Sequence, residues 1–126
     1  RRSPGVTVVD ALPSGQLSTL LARARLVVAG AGNMLGNQVV AAGRPCVMTA
    51  TGGHDQPARL AEYQRLGAVR AAALSVDALA AAAIELDVDG EARHALVDGL
   101  RRLGLQDDTR RVAGWLAEWA GASVAR

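Results

Sequence analysis

Two short apolar runs, Leu26 to Ala29 and Pro45 to Thr49, are separated by one segment of helical pattern, and each opens into a loop suited to a ligand. The first loop is the glycine turn Gly30-Ala31-Gly32. The second begins at Ala50, carries Gly52-Gly53 and closes on His54-Asp55-Gln56. The segment between the runs extends from about Asn33 to Ala42, with Gly43 just past its end and Pro45 soon after, as helix ends prefer. Strand, helix, strand in this order favours a parallel sheet. Both loops then share the carboxyl edge, where open α/β folds bind ligands.

An anion is the natural guest of the first loop. Glycines permit a tight turn with unhindered backbone N–H groups, and a helix starting near Asn33 adds the positive end of its dipole. A glycine turn after a strand is also common in any doubly wound fold, so the phosphate reading draws its weight from the second loop. Gly36 inside the helix costs roughly 1 kcal/mol relative to alanine. Close approach to a ligand or to the sheet is the expected compensation.

At 126 residues the chain is one domain or a piece of one. Half of it is hydrophobic, yet only 2% is aromatic and phenylalanine is absent, so the core must be built from Ala, Val and Leu. Every basic side chain is arginine, and these are scattered rather than gathered with aromatics; with a net charge of only +2, nucleic acid is disfavoured as a partner. The one cysteine, Cys46, lies inside an apolar run, which excludes an internal disulfide and reads as a small buried hydrophobe rather than a nucleophile. His54 and His94 are too far apart for zinc, and Asp87 with Asp89 supplies too few ligands for calcium, so no metal is expected. No apolar stretch approaches the roughly 20 residues of a membrane-spanning helix, and no signal peptide is visible. A cytoplasmic setting is the expectation. The chain begins Arg1-Arg2-Ser3-Pro4 without an initiator methionine, and a piece of a longer protein is expected.

In order, Val6 to Val9 reads as a buried strand and Gln16 to Arg23 as a short amphipathic helix, followed by the strand, helix and strand already described. Asp55 is placed to cap a helix with Pro57 in its first turn and Gly67 at its end, and Ala68 to Ala71 reads as a weaker fourth strand. Ser75 then caps Val76 to Leu86, Asp87 to Gly90 turns, and helices follow over Glu91 to Leu103 and Asp107 to Ala120. The last places Val112, Trp115, Leu116 and Trp119 on one face as a docking stripe. The fold class is α/β: a partial, Rossmann-like parallel sheet of about four strands with helices on both faces and a helical C-terminal tail. Residues 1–73 form the alternating part and 74–126 the helical part of a single domain.

The order of Val27-Val28, Gly30-Ala31-Gly32, a helix, Ala42-Gly43-Arg44-Pro45, Cys46 to Thr49 and His54-Asp55-Gln56 resembles the C-terminal, donor-binding half of a GT-B glycosyltransferase. It is most similar to the glycosyltransferase family 28 enzymes and to the nucleotide-sugar box of the UDP-glycosyltransferases, over roughly residues 6 to 70. The resemblance implies a nucleotide sugar, UDP- or dTDP-linked, as donor substrate, with no cofactor. It assigns the donor diphosphate to Gly30, Ala31, Gly32, Asn33, Met34 and Leu35. Gln38 stands where the family usually has the glutamate that holds the ribose hydroxyls. Asp55 and Gln56 stand where relatives contact the transferred sugar, flanked by His54, and Ala11, Leu12, Pro13 and Ser14 lie where relatives hold the nucleobase.

A carboxylate beside an amide offers a sugar hydroxyl one acceptor and one donor, and a helix start stabilises the departing diphosphate without a metal. His54 is the one side chain of this chain weighed as an acid–base group; otherwise the catalytic base and the acceptor site belong to an N-terminal acceptor domain of the same parent. This chain alone is expected to be inactive and its donor domain incomplete. Peripheral membrane association of the parent is left open. A nucleotide-sugar hydrolase on the same scaffold and a non-catalytic binding or assembly module also remain open.

Overall fold

The computed structural model describes residues 4–105 and 109–124. Helix α1 (Ser14–Arg23) leads into strand β1 (Val27–Gly30), α2 (Asn33–Ala41), β2 (Cys46–Thr49), α3 (Gln56–Arg65) and β3 (Arg70–Ala71); helices α4 (Val76–Val88), α5 (Gly90–Leu103) and α6 (Thr109–Val124) follow. The sheet runs β1-β2-β3 and is parallel throughout, with Gly30 opposite Thr49 and Met48 opposite Ala71.

Strand β2 is central and buried at every residue. Its alternation divides the core in two. Cys46 and Met48 pack with Leu21 of α1, Val39 and Val40 of α2, Tyr63 of α3 and Leu100 of α5, while Val47 packs with Ala82 and Leu86 of α4 and with Leu96 of α5. Helices therefore cover both faces, and full burial of residues such as Met48 and Val47 contributes about 1.5–3 kcal/mol each.

Among the described residues three strands are present where about four were expected. Val6 to Val9 pairs with nothing among the described residues, and Val6, Val8 and Val9 are exposed. A β-branched run only becomes a strand when a neighbouring strand accepts it, and β1 is the sheet's edge here. The fourth expected strand shrinks to Arg70–Ala71.

Helix ends follow local chemistry. Ser75 Oγ accepts from Ala78 N–H and Asp89 Oδ1 from Ala92 N–H, so Asp89 starts α5 directly after α4 with little turn between them. Gly43 and Gly67 take positive φ after α2 and α3, as the sequence predicts. Asp55 is a correction: it makes no side-chain cap on α3. The expected start of the last helix at Asp107 lies outside the described residues; over Thr109–Val124 its Trp115 and Trp119 are exposed, with the Arg111 guanidinium 5.2 Å from the Trp115 ring centre.

Candidate functional site

The two loops at the carboxyl edge meet directly. Ala31 N–H donates to Thr49 O at 2.8 Å. A Cβ added at Gly30 would fall 3.0 Å from Thr51 Cγ2, a tight approach to the side chain of the second loop. The turn does not exploit positive φ at Gly30 or Gly32, contrary to the usual role of glycine in such a turn. Gly32 is the N-cap of α2 with φ −60° and ψ 150°, and nothing lies within 4 Å of where its Cβ would be. Its contribution is open space over the helix start.

Helix α2 has no side-chain cap and no acidic residue in its first turn. The N–H groups of Asn33, Met34 and Leu35 belong to that turn, where a helix has no internal acceptors to offer, and they carry the positive end of its dipole. Asn33 Oδ1 accepts from Asn37 Nδ2 at 3.1 Å, and Asn37 Oδ1 accepts from the Tyr63 hydroxyl at 2.7 Å. This relay ties α2 to α3 and leaves the Asn33 amide NH2 as the free donor end of its side chain.

The second loop is sorted in the same way. Gln56 Oε1 accepts from Thr51 N–H at 2.8 Å and from Thr51 Oγ1 at 3.1 Å, so the end of Gln56 left for a ligand is its Nε2 donor. Asp55 pairs instead with Arg59 one turn later on α3. Its carboxyl is held below the usual carboxylate value, first by the Arg59 hydrogen bond, then by a backbone N–H and the Arg59 charge. Asp55 is thus an acceptor and Gln56 a donor, side by side. His54 lies exposed in the turn before them.

Arg59 also donates through Nη1 to Ala31 O at 2.7 Å. One guanidinium therefore touches both loops. Arg59, Thr51, Asn37 and Tyr63 were not singled out in the sequence as site residues. The i, i+4 spacing of Asp55 and Arg59 was the one available signal; the bond to Ala31 is set by tertiary packing.

Gln38 sits apart from this cluster. It is half-buried and lines a groove of about 230 Å³ with Ser18, Leu21 and Ala22 of α1 and Ala41 and Ala42. Ala11 and Leu12 precede α1, Ser14 begins it, and Pro13 O accepts from Gln16 and Leu17 N–H at 2.9 and 3.0 Å. Cys46 is 1% exposed and burial pushes its thiol up to about 12, which removes it as a nucleophile. Among the described residues no group of three or more His, Cys, Asp or Glu could hold a metal, and no helix is long and apolar enough to cross a membrane.

Among solved structures, the chain is similar to the glycotransferase of kitacinnamycin, at 31% identity and a TM-score of 0.60 over 79% of this chain. The fold is glycosyltransferase-like. The chain spans a quarter of that protein's length (25%). No protein-family model and no curated protein matches it.

Proposed function

We propose that this chain is the nucleotide-sugar-binding portion of a GT-B glycosyltransferase of the family 28 or UDP-glycosyltransferase type, acting within a longer protein that holds the acceptor. The observation that carries the reading is the junction of the two loops: a bare helix start at Gly32 to Leu35 beside an acceptor, Asp55, and a donor, Gln56, each fixed by its own internal partner. Similarity to a glycosyltransferase structure supports it independently.

In this reading the backbone N–H groups at the start of α2 take the diphosphate, and the dipole offsets the charge that builds on it as the glycosidic bond breaks. Asp55 accepts from one sugar hydroxyl and Gln56 Nε2 donates to another, which holds the anomeric carbon for in-line attack and inversion. The base that deprotonates the acceptor comes from outside this chain. UDP- and dTDP-linked sugars are the proposed donors. Gln38, which faces Ser18, Leu21 and Ala22 of α1 across the groove, is proposed to take the ribose, and Ala11 to Ser14, at the start of α1, the base.

Isothermal titration of the intact protein with UDP, dTDP and GDP, beside UDP-glucose and dTDP-glucose, tests this. Binding of one nucleotide, strengthened or redirected by the sugar and sensitive to Asp55→Ala, is the expected result. Absence of binding by all five would transfer the scaffold to a non-catalytic role.

A further inference from the structure

We propose that Arg59 is a positioning residue that locks the two loops of the donor site together, fixing the Ala31–Gly32 peptide with one guanidinium nitrogen and the Asp55 carboxylate with the other. The inference rests on the donor-site reading for its functional consequence and on the geometry alone for the lock itself.

A trans peptide points its carbonyl oxygen and the following N–H in opposite directions, and no cis bond occurs among the described residues. The hydrogen bond from Arg59 to Ala31 O therefore also aims Gly32 N–H, the first donor at the mouth of α2. Ala31 is pinned from its other side as well, by its own N–H to Thr49 O. The peptide that opens the anion site thus has little freedom while Arg59 is in place.

The second nitrogen of the fork holds Asp55, the acceptor of the other loop. Arg59 is well covered, at 20% side-chain exposure, whereas Asp55 is 66% exposed and open to a ligand. Such an arrangement suits a support more than a contact. Arginine suits the position because its planar fork sets donors on two separate nitrogens at fixed spacing, one to each acceptor, whereas lysine must reach both from a single nitrogen on a flexible stem. The two acceptors are 24 residues apart in sequence, Ala31 to Asp55, and Arg59 is the bridge that makes the diphosphate donors and the sugar acceptor one rigid unit.

Hydrogen exchange read by mass spectrometry on the intact protein tests the lock without any ligand. Arg59→Gln should speed exchange, by about threefold or more, in peptides covering both 30–36 and 50–56, since each segment loses a contact that restrains its local opening. Asp55→Ala should affect the second segment alone. Arg59→Lys, which keeps charge but loses the two-nitrogen fork, should give protection between that of the unaltered protein and that of Arg59→Gln. Exchange altered only around Arg59 on α3 overturns the proposal.

The functional arm uses UDP with UDP-glucose and dTDP with dTDP-glucose. Arg59→Gln should weaken the free nucleotide about threefold and its sugar about thirtyfold, and the additional tenfold should vanish in the Asp55→Ala background, because residues acting through one another are non-additive. Equal losses in both backgrounds overturn the proposal. If the unaltered protein binds none of the four while both segments respond in exchange, the donor-site reading falls and the lock stands.

Discussion

Gly99 of α5 lies against the backbone of Gly67, so close that a Cβ at 99 would stand 1.9 Å from the Gly67 carbonyl oxygen and 2.5 Å from its carbonyl carbon. No side-chain rotation relieves a clash with backbone. The contact lets α5 cross the segment joining α3 to β3, so that Leu96 reaches one core cluster and Leu100 the other. Gly99→Ala should therefore force α5 away and cost about 3 kcal/mol, the upper end of overpacking, despite alanine's better helix propensity. Urea unfolding of the intact protein checks this, and a change below about 1 kcal/mol would show that α5 does not press on Gly67.

Gly36 provides the contrasting case. It is buried inside α2, but an added Cβ would meet Ala31 at 3.5 Å or more, an ordinary van der Waals distance. Of the two approaches expected to repay this glycine, the one to the sheet leaves ordinary room for a Cβ. Gly36→Ala should stabilise the protein by about 0.5–1 kcal/mol, the propensity difference, with a corresponding rise in melting temperature. A loss of stability would mean that α2 must approach the sheet more closely than it does here.

These two glycines show what the sequence made legible. Strands β1 and β2, the helix between them and the shared edge were readable because apolar runs and glycine punctuation are local signals. Val6 to Val9 carried the same local signal and yet is not a strand, since pairing depends on a neighbour that propensity does not report. Asp55 looked like a cap because of its place before Gln56 and Pro57, but Arg59 claims its carboxylate. The bond from Arg59 to Ala31 spans 28 residues, and no spacing rule foretells it. The Gly99–Gly67 contact is likewise tertiary.

Cys46 should be chemically silent in the folded protein. It is buried on β2, its thiol is pushed up to about 12 by burial, and Sγ lies 3.3 Å from Val47 O. Its pKa is raised on folding, so its contribution is intact below the ordinary thiol value and is lost as pH rises from about 8.5 toward the folded value. A thiol-disulfide reagent at pH 8 should label Cys46 only after denaturation, and stability should decline above pH 9 less steeply in Cys46→Ala than in the unaltered protein. Rapid labelling in native conditions would place the thiol at an open site and contradict the packing of β2.

Gln56→Glu separates the two jobs assigned to Gln56. The substitution keeps an oxygen to accept from Thr51 N–H and Oγ1, now with charge assistance, so the loop should hold its shape. The other end changes from the Nε2 donor to a second acceptor, beside Asp55, whose carboxyl the hydrogen bond and charge of Arg59 hold below the usual carboxylate value. A sugar hydroxyl that needs a donor there loses it and meets a second negative charge. Affinity for the free nucleotide should fall no more than about twofold, whereas affinity for the nucleotide sugar should fall about tenfold or more, in line with one charged hydrogen-bond partner of the wrong polarity. Titration calorimetry with each ligand reads the difference directly. Equal losses for nucleotide and nucleotide sugar would place Gln56 in the architecture of the loop alone.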